Sequence, residues 1–283
     1  MGKPDVSLIV PVYDEEENLP VLAGEIRQAM EPTGRSYEVL LIDDGSTDGS
    51  PEVMRRLAGE DPRYRILRLQ RNSGLSAGLD AGFRHARGET LVTLDADLQN
   101  DPADIPRLLA ELAGCDVVCG VRARRRDNWL RRLSSRIANG VRNWATDESI
   151  ADVGCTLRAY RAEYVRRIPM FSGMHRFLPT LLRLEGARIK EVPVHHRPRL
   201  HGEPKYNIRN RIWKALADLM AVRWMQRRWL DRRLVQEVEA WTQKAYGSPL
   251  ASAARPSSSP VSSSSGSPPS AADGASSPEP SGS

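Results

Sequence analysis

Asp95 and Asp97 stand one residue apart at the end of the short apolar run Thr90–Leu94, and Gln99 follows two positions later. Two carboxylates and an amide oxygen at a strand end suit a hard divalent cation, magnesium or manganese, that takes oxygen ligands and bridges a diphosphate. A cation there serves as a Lewis acid for charge building on a departing nucleoside diphosphate. By spacing alone, the same residues also read as an Asp-rich turn that caps the next helix. Asp43-Asp44-Gly45-Ser46-Thr47-Asp48-Gly49 is ambiguous in the same way. Asp and Gly favour turns wherever they occur, and an Asp at a strand end can also accept hydrogen bonds from a base or a ribose. Upstream, Tyr13 can stack on a base and Glu15 can bond a ribose hydroxyl.

The elements that must position these residues alternate between two periods. Val6–Val12 is a β-branched run ending near Pro11, and Leu19, Leu22, Ile26 and Met30 then recur at helical spacing. Strands are predicted again at Tyr37–Ile42, Ile66–Leu69, Thr90–Leu94 and Asp116–Gly120. Helices are predicted between them at Ser50–Ala58, Ser76–Ala86 and Pro102–Leu112, the last with Asp101 as N-cap and Pro102 at its first position. The Ala and Gly residues of Ser76–Ala86 suit close packing on a sheet. Such alternation predicts an α/β fold with a mostly parallel sheet covered on both faces, which binds ligands beyond the carboxyl ends of its strands. Pro11–Glu15, Asp43-Asp44 and Asp95–Gln99 each follow a strand directly and are expected to meet in one crevice. Further on, helices are expected at Asp127–Trp144, His175–Leu184 and Ile208–Trp229, and strands at Leu157–Tyr160 and Ala187–Val194.

Four segments in this order resemble family 2 glycosyltransferases of the GT-A fold, a three-layer α/β/α sandwich. They are Ile9–Glu15, Ile42–Gly49, Asn72-Ser73-Gly74 and Asp95–Gln99, and the match runs from Val6 to about Trp213. Later segments resemble the branch that glycosylates dolichyl or undecaprenyl phosphate: Gly120-Val121-Arg122, Ser135–Asn139, Asp152–Arg161 and Arg199–Tyr206. The resemblance implies inverting transfer from a GDP- or UDP-sugar donor to a polyprenyl-phosphate lipid, with Mg2+ or Mn2+ as cofactor. It implies that Pro11, Tyr13, Glu15, Ile42 and Asp44 hold the nucleoside, and that Asp95, Ala96 and Asp97 meet the diphosphate, with Asp97 and Gln99 on the metal. Arg122, Arg199 and Lys205 would face phosphates and act in catalysis with Asp95 and Asp97, while Arg136, Asp152 and Arg158 would bind the acceptor. Guanidinium clamps phosphate through paired hydrogen bonds, and lysine brings a mobile point charge. Two positions depart from the family: Asp14 stands where it usually has Asn, and Pro204 where it usually has Ser.

The chain has 41 Lys and Arg against 36 Asp and Glu, a net charge of +5, but its Arg and Lys crowd Arg122–Arg142, Arg158–Arg167 and Arg197–Arg233. Phosphate-rich ligands, nucleic acid and an acidic membrane surface all suit such runs, as do plain solvated helix faces. No nucleic-acid module is recognisable, so no nucleic-acid partner is expected. No run of about 18 apolar residues is present, so membrane contact is expected to be peripheral, through an interfacial helix at Trp213–Trp229 on the cytoplasmic face. The competing reading of that helix is packing on the catalytic domain or on a partner subunit. Three cysteines without zinc-type spacing and the lack of a signal-like start predict a reduced, intracellular protein. The expected organisation is a catalytic domain over 1–206, a basic amphipathic extension over 207–246, and a Ser/Pro/Ala-rich tail over 247–283 too poor in apolar residues to order. Two other functions fit the residues: transfer to a soluble saccharide or protein hydroxyl, which would need a general base, and an inactive membrane-associated scaffold. Sugar identity and oligomeric state are not legible.

Overall fold

A computed structural model describes residues 2–122, 140, 150–198 and 211–230. The segment expected as the Asp127–Trp144 helix, and with it Arg136, lies outside the described residues, as do Arg199, Lys205 and the tail. Among the described residues seven strands form one sheet in the order β3-β2-β1-β4-β6-β5-β7. They are β1 (Val6–Val12), β2 (Tyr37–Asp43), β3 (Tyr64–Arg68), β4 (Thr90–Thr93), β5 (Val117–Arg122), β6 (Arg158–Arg161) and β7 (Ile189–Val194). All pairings are parallel except those of β6, which runs antiparallel to both β4 and β5. Among the described residues seven α-helices accompany them: α1 (Asn18–Met30), α2 (Ser50–Glu60), α3 (Leu75–His85), α4 (Ile105–Glu111), α5 (Ala162–Val165), α6 (Leu178–Leu184) and α7 (Arg211–Arg228).

The period-two alternation of a strand explains the three layers. Val6, Leu8, Val10 and Val12 of β1 point to one face and join a core with Leu19, Leu22 and Ile26 of α1 and Leu108 of α4. Ile9 points to the other face, where Leu40 and Ile42 of β2 pack with Leu79 and Phe83 of α3 and with Leu181 of α6. Glycine lets α3 approach closely, as its composition predicts. A Cβ on Gly82 would come within 2.3 Å of Ile9 Cγ2, and one on Gly78 within 3.3 Å of Pro11 Cβ. On the same face Leu219 and Val222 of α7 enter the core, and Arg176 holds Asp218 at 2.7 Å.

Local chemistry shifts some boundaries. The helix expected over Pro102–Leu112 is a 3-10 turn at Pro102–Asp104, then α4, then a second 3-10 turn at Leu112–Gly114. A second proline, Pro106, has no N–H to continue one uninterrupted ladder. Asp101 does cap this segment, its carboxylate accepting from the Ala103 N–H at 3.0 Å. Similarly His175–Leu184 divides into a 3-10 turn, Met174–Phe177, and α6 with Pro179 in its first turn. The short α5 has no counterpart in the sequence reading.

Candidate active site

The parallel strands β1, β2 and β4 end side by side, Val12 opposite Asp43 and Ile9 opposite Thr93. Their three exit loops therefore begin in one place. The first two lock together through side chains that accept backbone N–H groups. Asp14 Oδ1 accepts from the Thr47 N–H at 2.7 Å, and Asp43 Oδ1 accepts from the Ser46 N–H at 2.7 Å. Ser46 Oγ and Ser50 Oγ accept from the Asp14 and Glu15 N–H groups, and Glu16 accepts from the Gly49 N–H at 2.9 Å. Asp14 sits at φ 50°, a left-handed conformation that Asp and Asn tolerate better than most residues. An Asn amide oxygen could accept the same Thr47 bond, so the departure from the family's Asn costs nothing at this contact.

Asp44, 5% exposed, takes the Ser73 N–H at 2.6 Å and the Gly74 N–H at 2.8 Å, which pins the Asn72-Ser73-Gly74 loop over the end of β2. Gly45 at φ 74° permits this, because a Cβ there would lie 2.7 Å from the Asn72 nitrogen. Glu15 accepts from Asn18 Nδ2 at 2.6 Å. Tyr13 and Pro11 are partly exposed at the mouth of the same loops. Ile42 requires a correction as a side-chain contact: its side chain is 0% exposed and packs under α3, so only its backbone could border a nucleoside. The strand's alternation, which turns Asp43 to one face, turns Ile42 into the core.

After β4 the Leu94 N–H still bonds the Ile9 carbonyl at 3.2 Å, and the chain then turns through Asp95–Asn100. Leu98 is held at φ 59° with its side chain fully buried. A leucine there costs about 1–2 kcal/mol, and such strain collects where a loop must hold functional groups. Asp97, 7% exposed, accepts from the Gln99 N–H at 3.1 Å. Burial, and then the negative charge of Asp97, push the Asp95 carboxyl up to about 6. A carboxyl whose proton affinity is raised by a neighbouring carboxylate is one that a cation would relieve. Among the described residues no three His, Cys, Asp or Glu side chains converge into a cage. The oxygen donors of Asp95, Asp97 and the Gln99 amide are of the kind a hard divalent ion takes, and such an ion would need further oxygen ligands from outside the protein.

The antiparallel strand completes the crevice. Because β6 runs against β4, with Thr93 opposite Arg158, the segment Asp152–Leu157 that leads into β6 lies at the carboxyl ends of the parallel strands. Asp152 holds Arg122, the last residue of β5, through Nε at 2.7 Å and Nη2 at 2.8 Å. Two residues that the sequence assigned separately to acceptor and phosphate are therefore an ion pair, with side chains 8% and 15% exposed. Arg158 is a second correction. It is 3% exposed, and its guanidinium donates to the Val153 carbonyl at 2.7 Å and the His175 carbonyl at 3.3 Å, so it braces the loop and presents no surface to a lipid.

Thr156 and Asn100 escaped the sequence reading. The Thr156 hydroxyl donates to Asp95 Oδ2 at 2.5 Å and accepts from Asn100 Nδ2 at 2.8 Å. The available signal was that Thr156 stands inside the Asp152–Arg161 motif and that Asn100 directly follows Gln99. Histidines and cysteines take structural places. His195 sits 3.1 Å from Asp104, His175 sits 2.8 Å from Ser76, and burial pushes the Cys119 and Cys155 thiols up to about 11.

The sequence profile described as "Glycosyl transferase family 2" matches residues 7–168, spanning β1 to the turn after α5 and every loop of this crevice. The chain belongs to glycosyl transferase family 2. A family relative named undecaprenyl-phosphate 4-deoxy-4-formamido-L-arabinose transferase, from Edwardsiella ictaluri (strain 93-146), is 41% identical over 206 residues. That alignment covers 72% of this chain and 63% of the relative, so the chain spans less than two thirds of the length of that protein. Among solved structures, glucosyl-3-phosphoglycerate synthase from Mycobacterium tuberculosis, in complex with Mn2+, UDP and glucosyl-3-phosphoglycerate, aligns with a TM-score of 0.60 at 16% identity, over 81% of this chain and 82% of that one. A mannosyltransferase from Pyrobaculum calidifontis in complex with GDP-Man and Mn2+ aligns with a TM-score of 0.52 at 24% identity, over 68% of this chain and 56% of that one. These likenesses show the GT-A fold.

Proposed function

We propose that the chain is a metal-dependent, inverting glycosyltransferase that moves a sugar from a GDP- or UDP-sugar to a polyprenyl phosphate at the cytoplasmic face of a membrane. The observation that carries this reading is the Asp95–Asp97 pair at the end of β4, set beside two interlocked loops whose polar groups face the same crevice. In this reading Tyr13, Glu15 and Asp44 would border the nucleoside, and Asp95, Ala96 and Asp97 the diphosphate. A divalent ion held by Asp97 and Gln99 would neutralise the leaving diphosphate. The E. ictaluri relative supports the acceptor class, since its name specifies undecaprenyl phosphate.

A phosphate acceptor makes modest chemical demands on the protein. Its attacking oxygen is already anionic near neutral pH, so no general base has to take a proton, and catalysis reduces to alignment and charge stabilisation. Arg122, its plane fixed by Asp152, would present positive charge to phosphate together with Arg199 and Lys205, and Arg136 would serve the acceptor. The decisive assay gives the protein labelled nucleotide sugars, Mn2+ and undecaprenyl phosphate. Label moving into the organic phase supports the proposal, and label moving only into a water-soluble product assigns the enzyme a soluble acceptor.

Peripheral membrane contact is part of the same proposal. No described helix is long and apolar enough to cross a membrane. Six large apolar side chains are exposed among the described residues, and five of them fall in two segments: Phe171, and Leu216, Met220, Trp224 and Leu230 on or just after α7. Leu216, Met220 and Trp224 fall at four-residue intervals on α7, opposite the buried Leu219 and Val222, with Arg223, Arg227 and Arg228 beside them. A helix apolar on both faces needs a second partner, and arginines around the outer face suit anionic headgroups. Phe171 belongs to the segment whose Gly173 N–H bonds Ser76 at the start of α3, which puts that segment at the crevice end of the sheet. Flotation with phosphatidylglycerol-containing vesicles should carry the protein upward, and Trp224→Ser with Met220→Ser should leave it behind. Wild-type protein that stays with the soluble fraction would refute membrane contact.

A further inference from the structure

We propose that Thr156 is a positioning residue that sets the Asp95 carboxylate and, through Asn100, couples the Asp95–Asn100 loop to His196 and Arg197 after β7. This rests on the glycosyltransferase reading only for what the Asp95 carboxylate meets; the coupling itself is independent of that reading.

The argument starts from direction. An antiparallel strand brings its amino-terminal end to the carboxyl ends of the parallel strands beside it, so the residue two before β6 arrives next to the residue two after β4. Thr156 is that residue, and Asp95 its counterpart. The Thr156 hydroxyl has one proton and two lone pairs. It donates the proton to Asp95 Oδ2, at 2.5 Å, and accepts from Asn100 Nδ2, at 2.8 Å, so its orientation is fixed from both sides. Its backbone is fixed as well, because Thr93 Oγ1 donates to the Thr156 carbonyl at 2.6 Å. The hydroxyl thus bonds the first and last residues of one loop at once.

That loop is also tied across to the strand beyond β5. Asn100 forms an isolated β-bridge with His196, and the Arg197 N–H donates to the Gln99 carbonyl at 2.8 Å. Arg197 then anchors to Asp101 at 2.7 Å and to Glu25 at 2.6 Å. Hydrogen bonds link Asp95 to Thr156 and Thr156 to Asn100, and the neighbouring Gln99 carbonyl links the same stretch of chain to Arg197. A valine at 156 keeps the shape and removes the hydroxyl; a serine keeps the hydroxyl.

The test compares wild type, Thr156→Val and Thr156→Ser. Hydrogen exchange is followed in peptides covering 95–100 and 192–198, without metal or nucleotide, and Mn2+-dependent affinity for the donor identified by the wild-type protein is measured by calorimetry. In Thr156→Val, exchange in both peptides should quicken by about tenfold while β1 and β2 keep wild-type protection, and donor affinity should fall by about tenfold, as for loss of a group that orients a metal site. Thr156→Ser should restore both within about twofold. Wild-type exchange in Thr156→Val overturns the proposal, and so does a serine variant that behaves like valine, since the methyl and not the hydroxyl would then matter. If Thr156→Val does not fold, Asn100→Ser, which removes the Nδ2 donor, should quicken exchange in 192–198, and unchanged exchange there overturns the coupling. A wild-type protein that binds no donor would sink the proposed function, and the exchange measurement would still decide the coupling.

Discussion

The two halves of the sheet hold charge in opposite ways. In the loops that leave β1, β2 and β4, carboxylates are satisfied mostly by backbone N–H groups: Asp14 by Thr47, Asp43 by Ser46, Asp44 by Ser73 and Gly74, and Asp97 by Gln99, with one guanidinium, Arg68, 3.2 Å from Asp43. Beyond β4, where β6 reverses direction, guanidinium groups are held by a carboxylate or by carbonyls: Arg122 by Asp152, and Arg158 by Val153 and His175. Backbone donors fix an anion without adding a counter-charge, so these loops keep the negative potential that attracts a cation, and a cation held there would in turn attract a diphosphate. Side-chain pairing cancels charge locally, so the second half gains rigidity and gives up part of its positive field.

The sharpest way to break this contrast is at Asp97. Asp97→Ala should lower sugar transfer by at least about a hundredfold, as for loss of a principal source of charge stabilisation, with little change in the urea midpoint. Kinetics beside an unfolding curve will show it; a large loss of stability would mean that Asp97 serves the fold instead. In the other half the outcome should invert. Asp152→Ala leaves Arg122 largely buried without this partner and should cost about 3 kcal/mol of unfolding free energy, measurable in urea.

Asp95 sharpens the comparison because a hydroxyl, Thr156, holds one of its oxygens, and Asp97 opposes its charge. Its carboxyl titrates at about 6 in the folded protein against a reference of 3.8, so the native state holds a proton that the unfolded chain has released. Stability contributed at this site is therefore full below the reference value and declines as pH rises toward 6, by roughly 2–3 kcal/mol without metal. Asp95→Asn should gain on wild type by about that amount between pH 4 and 7, and saturating Mn2+ should narrow the gap. Parallel pH profiles would show that Asp95 carries no such charge penalty. Gly82→Ala should have the smallest effect, about 1–3 kcal/mol, because its Cβ would meet Ile9 Cγ2 at 2.3 Å and lift α3 from the donor half. Thermal unfolding will measure it.

The same contrast decides what the sequence could reveal. Strand-end acids after β1, β2 and β4 repeat a local pattern of apolar run followed by acid, so their convergence followed from the β-α-β rhythm alone. Ile42 was misplaced because a motif match does not say which face of a strand a side chain takes; Arg158 was misplaced because an arginine in a basic run gives no hint that two carbonyls await it. Arg122 and Asp152 lie thirty residues apart, and only the reversed direction of β6 joins them. Thr156 meets Asp95 across sixty-one residues for the same reason.

The central claim is that the Asp95–Gln99 loop binds a nucleotide sugar through a divalent ion. Thermal unfolding with GDP-mannose, UDP-glucose, UDP-N-acetylglucosamine and other nucleotide sugars, each with and without Mn2+, tests it most directly. A donor at about a hundred times its Kd should add about 2.7 kcal/mol and raise the melting temperature by about 5–10 °C, with Mn2+ and not without it. No shift with any donor, or a shift of equal size in EDTA, would contradict the account.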